Sequence, residues 1–377
     1  MKRRLLAVVG VMMVLGLLVA SCRPAKPEMY KIGFINHLTG DAAVYGKSMK
    51  KGTEVALDEI NAAGGINGVP VEVMYEDDRF SAADARSAFL KLVETDKVPV
   101  IMGSGSSTVS LALCPLAQEK KVVQISPAST VPALMDCGEY FFSLMASDTA
   151  QGPEWVRVLE HLGKREAAVM YMNYDYGIGV KGTFVAEMES AGYGVLIAQP
   201  FEVGGADFRT EILKVKEVNP EVTFIVGSAR EAAIVLKQAR ELGFDTQWVT
   251  CVSIVTKEVP ELAGKEATEG IMGLRAGSME TSEYRTFAKA FEEKHGVPPT
   301  IWADFAYDTT MMVAKAIEKG GYTADGIKKA LFEVGEAYSG ASGPKKLNEY
   351  GIVHGVYDWM VVKNEEWALY KAALGSY

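Results

Sequence analysis

The sequence predicts an α/β protein of two lobes, each a parallel sheet with helices on both faces. Strands alternate with helices of ten or more residues from Tyr30 to about Cys251, the alternation that builds parallel sheets. The two halves also open alike: a strand at 32–36 leads to Tyr45-Gly46 and a helix, and a strand at 169–173 leads to Tyr176-Gly177 and a helix. A chain of 377 residues, 49% hydrophobic and 23% charged, is long and apolar enough for two ordinary cores.

Taken in order, the β-rich run 30–36 precedes a helix at 44–63, which stops at the Gly-rich connection 64–68. The cycle repeats with strand 71–76, helix 82–95, strand 98–102, helix 107–120 and strand 122–126. A second series starts near Asp148: helix 150–162, strand 167–172, helix 178–191, strand 195–201, helix 207–217, strand 222–226, helix 229–242 and a strand at 247–251. After Gly270 come a strand at 271–276, helices near 282–295, 301–319 and 323–333, and a hairpin-like pair at 351–362 and 367–371. Composition alone does not assign this third segment to either lobe.

The N-terminus carries an address. Lys2, Arg3 and Arg4 precede an uncharged stretch of 16 residues, Leu5 to Ala20, shorter than the roughly 20 residues of a membrane-spanning helix. Such a pattern reads as an export signal. It ends in Val19-Ala20-Ser21-Cys22 before Arg23-Pro24-Ala25-Lys26-Pro27, and this string resembles the bacterial lipoprotein cleavage motif, which implies lipidation of Cys22. The expected organisation is a signal peptide at 1–21 and a lipidated leash at 22–28, with the rest exported and held to a membrane only through its lipid. Loss of residues 1–21 changes the charge from −9 to −12. That acidity argues against nucleic acid as a partner, since phosphate binding needs a basic face. Outside the cytoplasm a disulfide is allowed, and Cys114 with Cys137 is the pair closest in sequence; buried free thiols are the alternative. The four histidines are far apart and no Cys/His ligand spacing occurs, so no metal or cofactor is expected.

Several strings are similar to the leucine/isoleucine/valine-binding family of bacterial solute receptors. They include Ile32-Gly33 with Leu38-Thr39-Gly40, Ala43-Val44-Tyr45-Gly46, the long Glu59-Ile60-Asn61-Ala62-Ala63-Gly64-Gly65-Ile66-Asn67-Gly68, Asp77-Asp78, Ile125-Ser126-Pro127-Ala128-Ser129-Thr130, and Ser147-Asp148 with Gln151-Gly152. The resemblance implies a type I periplasmic binding protein: two Rossmann-like lobes joined by three crossovers. By position these fall near 147, 276 and 355, giving lobe one as 29–147 plus 277–355 and lobe two as 148–276 plus 356–377.

The resemblance also implies site residues. Gly103-Ser104-Gly105-Ser106-Ser107 leads into a helix, whose N-terminus suits an anion; Ser107 matches the family's carboxylate-binding serine, and Ser106 or Ser107 could equally cap the helix. Ala128, Ser129 and Thr130 form a second cradle. Tyr45 and Tyr176, one per lobe, are placed to wall a small ligand, with Ser228, Ala229 and Arg230 on a neighbouring loop. One departure stands out. The family holds the ligand's ammonium with a glutamate, and here the matching position is Val252 or Ser253. Burying an unpaired ammonium costs several kcal/mol, so an amino acid would need another acid such as Asp148, which could instead cap a helix. The expected ligand is a small carboxylate or an amino acid.

Rival readings have less support. Gly177-x-Gly179-x-x-Gly182 with Glu202 downstream has the shape of a dinucleotide fingerprint, but four residues separate it from the strand, whereas the first glycine belongs in the tight turn. A sensor of the same fold has no distinguishing motif. The expectation is a non-enzymatic, monomeric solute-binding lipoprotein of an ABC importer, with permease subunits as partners.

Overall fold

The computed structural model describes residues 27–370; the export signal, Cys22 and residues 371–377 lie outside the described residues. Its first sheet is wholly parallel, in the order β2-β1-β3-β4-β5. The strands are β1 (Tyr30–Asn36), β2 (Val71–Asp77), β3 (Val100–Gly103), β4 (Val123–Ser126) and β5 (Phe141–Ser143). A second sheet has the parallel strands β6 (Glu166–Met172), β7 (Gly194–Phe201), β8 (Val222–Val226), β9 (Gln247–Thr250) and β10 (Met272–Ala276) in the order β7-β6-β8-β9-β10. A ribbon of β11 (Ser339–Gly340) and β12 (Gly343–Pro344) stands apart, and β13 (Tyr357–Lys363) and β14 (Glu366–Leu369) extend the second sheet antiparallel. Strands β3, β4 and β8 are buried along their whole length, as expected of continuous apolar runs covered by helices on both faces.

The third segment divides. Helix Ala303–Gly320 packs along helix Ala43–Ala62 of the first unit, where the Thr310 hydroxyl reaches Thr53 Oγ1 at 3.3 Å. β13 instead pairs with β10 in the second sheet. The chain therefore passes between the two units after β5, after β10 and before β13. Most predicted elements recur with ends shifted by one to three residues, and helix Asp175–Ser190 starts before its predicted residue 178. β5 has only three residues and was not foreseen.

The paired Tyr-Gly strings have a common cause. A Cβ on Gly46 would lie 2.2 Å from the His37 carbonyl oxygen, and one on Gly177 would lie 2.0 Å from that of Met172. Only glycine lets each helix start settle against the carbonyl where the preceding strand exits. The tyrosine before each glycine then faces the space between the sheets. Gly177, Gly179 and Gly182 all lie inside helix Asp175–Ser190 rather than in a strand-to-helix turn, which removes the dinucleotide reading.

Cys114, in helix Ser107–Lys120, and Cys137, after the turn Pro132–Asp136, form a disulfide with a Cα–Cα distance of 5.3 Å. Cys251 is buried and free. Replacing both Cys114 and Cys137 by serine should cost about 3 kcal/mol. Thermal unfolding with and without reductant tests this, and coincident midpoints would show that the crosslink contributes nothing.

Candidate functional site

In both sheets the first strand of the unit lies inside, flanked by the second and third, so the strand order reverses beside β1 and beside β6. Ligands of open α/β sheets sit outside the C-terminal strand ends at such switch points. Here those two edges face each other across a cavity of about 280 Å³. The exits of β1, β2, β3 and β4 contribute His37, Phe80, Ser106, Ser107, Ala128 and Thr130; the exits of β6, β8 and β9 contribute Tyr174, Tyr176, Ser228, Glu231, Val252 and Ser253. Tyr45 and Trp302 complete the wall. A cavity this small suits a ligand of few atoms.

One side is a set of hydroxyls at a helix start. Ser106 is the N-cap of helix Ser107–Lys120, its Oγ accepting from Val109 N at 3.5 Å. The Ser107 Oγ accepts from Thr130 N at 3.1 Å and from Val131 N at 3.4 Å, which leaves its own proton to donate into the cavity. This interaction binds the two predicted cradles into one. Thr130 also lines the cavity, with its hydroxyl oxygen buried and without a well-formed hydrogen bond. With the positive end of the helix dipole behind them, these groups can hold a carboxylate.

The other side is aromatic and acidic. Tyr45 stacks on Trp302 with centroids 4.9 Å apart, and Tyr174 and Tyr176 lie in tilted contact at 5.9 Å. The Tyr45 hydroxyl is not available to a ligand, because it donates to the Ser253 carbonyl at 3.0 Å and accepts from Ala229 N at 2.8 Å. Burial pushes its ionisation far above the usual tyrosine range. One residue of the first unit thus fastens two loops of the second.

Four predicted site residues stand off the cavity surface. The Ser129 hydroxyl turns inward to the Ser104 carbonyl at 3.0 Å and to Ser110. Ala229 spends its N–H on Tyr45. The Arg230 guanidinium reaches the Gly205 carbonyl and Glu231. Asp148 is fully buried behind Thr130: its N–H donates to the Thr130 carbonyl at 2.8 Å and its Oδ1 accepts from Gln151 Nε2 at 2.6 Å. It is therefore not the acid that faces a ligand. Two acids do line the cavity: Asp41, which is exposed, and Glu231, which is buried and held by Gly204 N and the Ser228 hydroxyl. Sequence reasoning passed over Glu231, whose spacing from Ser228 is that of an ordinary capping box. His37, Phe80, Tyr174 and Trp302 were also missed. Trp302 carries no local motif and arrives from a distant helix start, its backbone at φ 60°, a conformation rare for a bulky side chain.

Burial pushes the Asp148 carboxyl up to about 7, while the Thr130 hydroxyl and the Gln151 amide partly offset it. Between about pH 4 and pH 7 the folded protein keeps this proton and the unfolded chain has lost it, so stability falls as pH rises through that window. Asp148→Asn should therefore gain stability over the wild type from pH 4 to 7, with no further gain above; parallel melting curves across that range would refute it. Tyr45→Phe strands the Ala229 N–H and the Ser253 carbonyl at a cost of about 1 to 3 kcal/mol. It should expand the unliganded protein in small-angle scattering, and an unchanged radius of gyration would show that the hydroxyl does not hold the units together.

Comparison with known proteins agrees with this geometry. A family model described as periplasmic binding protein matches residues 29–365. The leucine-, isoleucine-, valine-, threonine- and alanine-binding protein of Pseudomonas aeruginosa is 26% identical over 340 residues, 88% of this chain and 90% of that protein. The structure of the branched-chain amino acid transporter substrate-binding protein LivJ from Streptococcus pneumoniae, in complex with isoleucine, superposes with a TM-score of 0.84 at 27% identity, covering 90% of this chain and 97% of that one. The leucine-binding protein LivK of Thermotoga maritima gives 0.86 at 26% identity, covering 91% and 98%. With the match spanning nearly all of the described residues and both sheets in the expected arrangement, the chain belongs to the periplasmic binding protein family.

Proposed function

We propose that the protein is the solute-binding component of an ABC importer of the branched-chain amino acid type, taking a small carboxylate-bearing ligand between its lobes. The observation that carries this reading is the cavity between opposed strand ends, with hydroxyl donors at a helix start on one side and Glu231 with an aromatic wall on the other. The Ser107 hydroxyl receives the carboxylate, with Ala128 and Thr130 lining the same end of the cavity. An α-ammonium group then faces Glu231, the acid that replaces the one absent at Val252 and Ser253. Tyr176, Tyr174, Phe80 and Trp302 enclose the apolar part.

Capture proceeds by hinge closure. Lobe one, assigned to 29–147 plus 277–355, binds first, and lobe two, 148–276 plus 356–377, swings over the ligand. Closure is favoured because the ligand touches both lobes only when closed. Cys22 anchors the exported protein by lipid, as a monomer, beside its permease. No bond is made or broken in the ligand. A second reading, an aromatic carboxylate without an amine, draws support from the number of rings around the cavity.

Isothermal titration with leucine, isoleucine, valine, benzoate and 4-hydroxybenzoate tests these readings. Ser107→Ala should weaken any carboxylate by about 1 to 3 kcal/mol. Glu231→Gln should weaken an amino acid by a similar amount and spare a benzoate. Tight binding unaffected by Ser107→Ala would overturn the assignment of the carboxylate end.

A further inference from the structure

His37 is a polar group in the cavity wall that the carboxylate cradle does not use. It follows β1 directly, lines the cavity and is 1% exposed. Its Nδ1 is buried and turns toward Asp78, whose Oδ1 lies 3.7 Å away, too far for a hydrogen bond. Asp78 is itself wholly buried and already engaged: Oδ1 accepts from Phe80 N at 2.8 Å and Oδ2 from the Ser104 hydroxyl at 2.7 Å. Two rings clamp the imidazole edge-on, Tyr45 with centroids 6.1 Å apart and Phe80 at 5.5 Å. Phe80 reaches that position through a left-handed backbone at φ 59°, directly after Arg79 at φ 48°, a conformation uncommon for large side chains. With Nδ1 on the protein side, Nε2 is the nitrogen left to the cavity. Neither ring nitrogen has a hydrogen-bond partner among the described residues.

We propose that His37 is a specificity-determining residue whose Nε2 binds a hydroxyl on the ligand, so that the preferred solute is a carboxylate that also bears a hydroxyl. This rests on the reading of the Ser107 cradle as the carboxylate seat. Strands β1 and β3 are neighbours, with Ile35 opposite Gly103, and Gly105 N donates to Asn36 Oδ1 at 2.7 Å. His37 therefore stands one strand spacing, about 5 Å, from the loop that leads to Ser107. A ligand seated on Ser107 has the imidazole within reach of a hydroxyl a few bonds from its carboxylate. A neutral imidazole offers one donor and one acceptor nitrogen. A hydroxyl suits either tautomer, donating to a bare Nε2 or accepting from Nε2–H, whereas a methyl group or a ring C–H suits neither. A hydrocarbon group pressed on Nε2 would remove water from it and return nothing, and a site with such a buried polar group discriminates against analogues that lack the matching one.

Ligand pairs that differ by one hydroxyl test this: benzoate against 3-hydroxybenzoate and 4-hydroxybenzoate, and L-valine against its near-isostere L-threonine, each titrated calorimetrically into the mature protein. In the wild type at least one hydroxylated member should bind about tenfold more tightly than its parent. His37→Phe keeps a ring and removes both nitrogens, so it should weaken that hydroxylated member, spare the parent and bring the two within about twofold. A measurement on the wild type alone guards against a variant that does not fold. In nitrogen NMR of histidine-labelled protein, the hydroxylated member should move the His37 Nε2 resonance further than its parent does. Parents that bind as tightly as all their hydroxylated partners overturn this proposal alone. So does a preference that persists in His37→Phe, or a Nε2 resonance that moves equally with both members of the pair. Failure of all the probes to bind overturns the carboxylate reading of the cradle, and this proposal with it.

Discussion

The Tyr45 hydroxyl makes two hydrogen bonds that determine how the two halves meet. It projects from the first helix of one unit and reaches backbone groups on two separate loops of the other, one after β8 and one after β9. Because both partners are backbone groups, the contact ties two loops of the second unit to one side chain of the first in this arrangement. It also places the Tyr45 ring against Trp302, and the stack becomes one wall of the cavity. Tyr45 holds that position only because Gly46 allows the helix to rest on the His37 carbonyl. The missing side chain of Gly46 thus sets the position of Tyr45, which joins the two units across the cavity.

Charge is handled locally in this acidic chain. Its surface carries a net negative charge, while the proposed ligand seat holds neutral donors and a helix end. Deep ion pairs occur where the units are joined. Arg275 of β10 meets Asp304 at 2.7 Å, and Lys345 lies beside Asp308 at 3.8 Å while donating to the Leu144 carbonyl in the first crossover. Asp308 also accepts from Ala341 N, Ser342 N and the Ser342 hydroxyl. Burial pushes Lys345 down and Asp308 up, with each charge opposing the other's shift. Such pairs add little net stability, but removing one partner leaves a stranded charge. Their value here is geometric, since they anchor the segments on which the units turn.

Much of the layout was legible in the sequence because it follows from short-range rules. Strand-helix alternation defines parallel sheets, and the Tyr-Gly repeat marks the two equivalent loops. Ser107, Ala128, Thr130, Tyr45 and Tyr176 lie at the ends of elements whose ends could be read. What stayed hidden depends on direction or on distance along the chain. Ser129 and Thr130 are adjacent, yet Thr130 lines the cavity and Ser129 does not, and no pattern states which. Glu231 has the spacing of a helix cap and acts as a cavity wall. Asp148 reads as a substitute acid for the ligand or a helix cap, yet it is fully buried and stands off the cavity. Trp302 comes from a helix far along the sequence.

The Cys114–Cys137 crosslink joins the body of the helix that starts at Ser107 to the turn just beyond Thr130. It thereby clamps from behind the two segments that together form the hydroxyl cradle. In a reducing cytoplasm that clamp cannot persist, so a newly made chain holds its cradle without the crosslink. The oxidising surroundings in which the protein meets its ligand would also be the surroundings that finish its binding site.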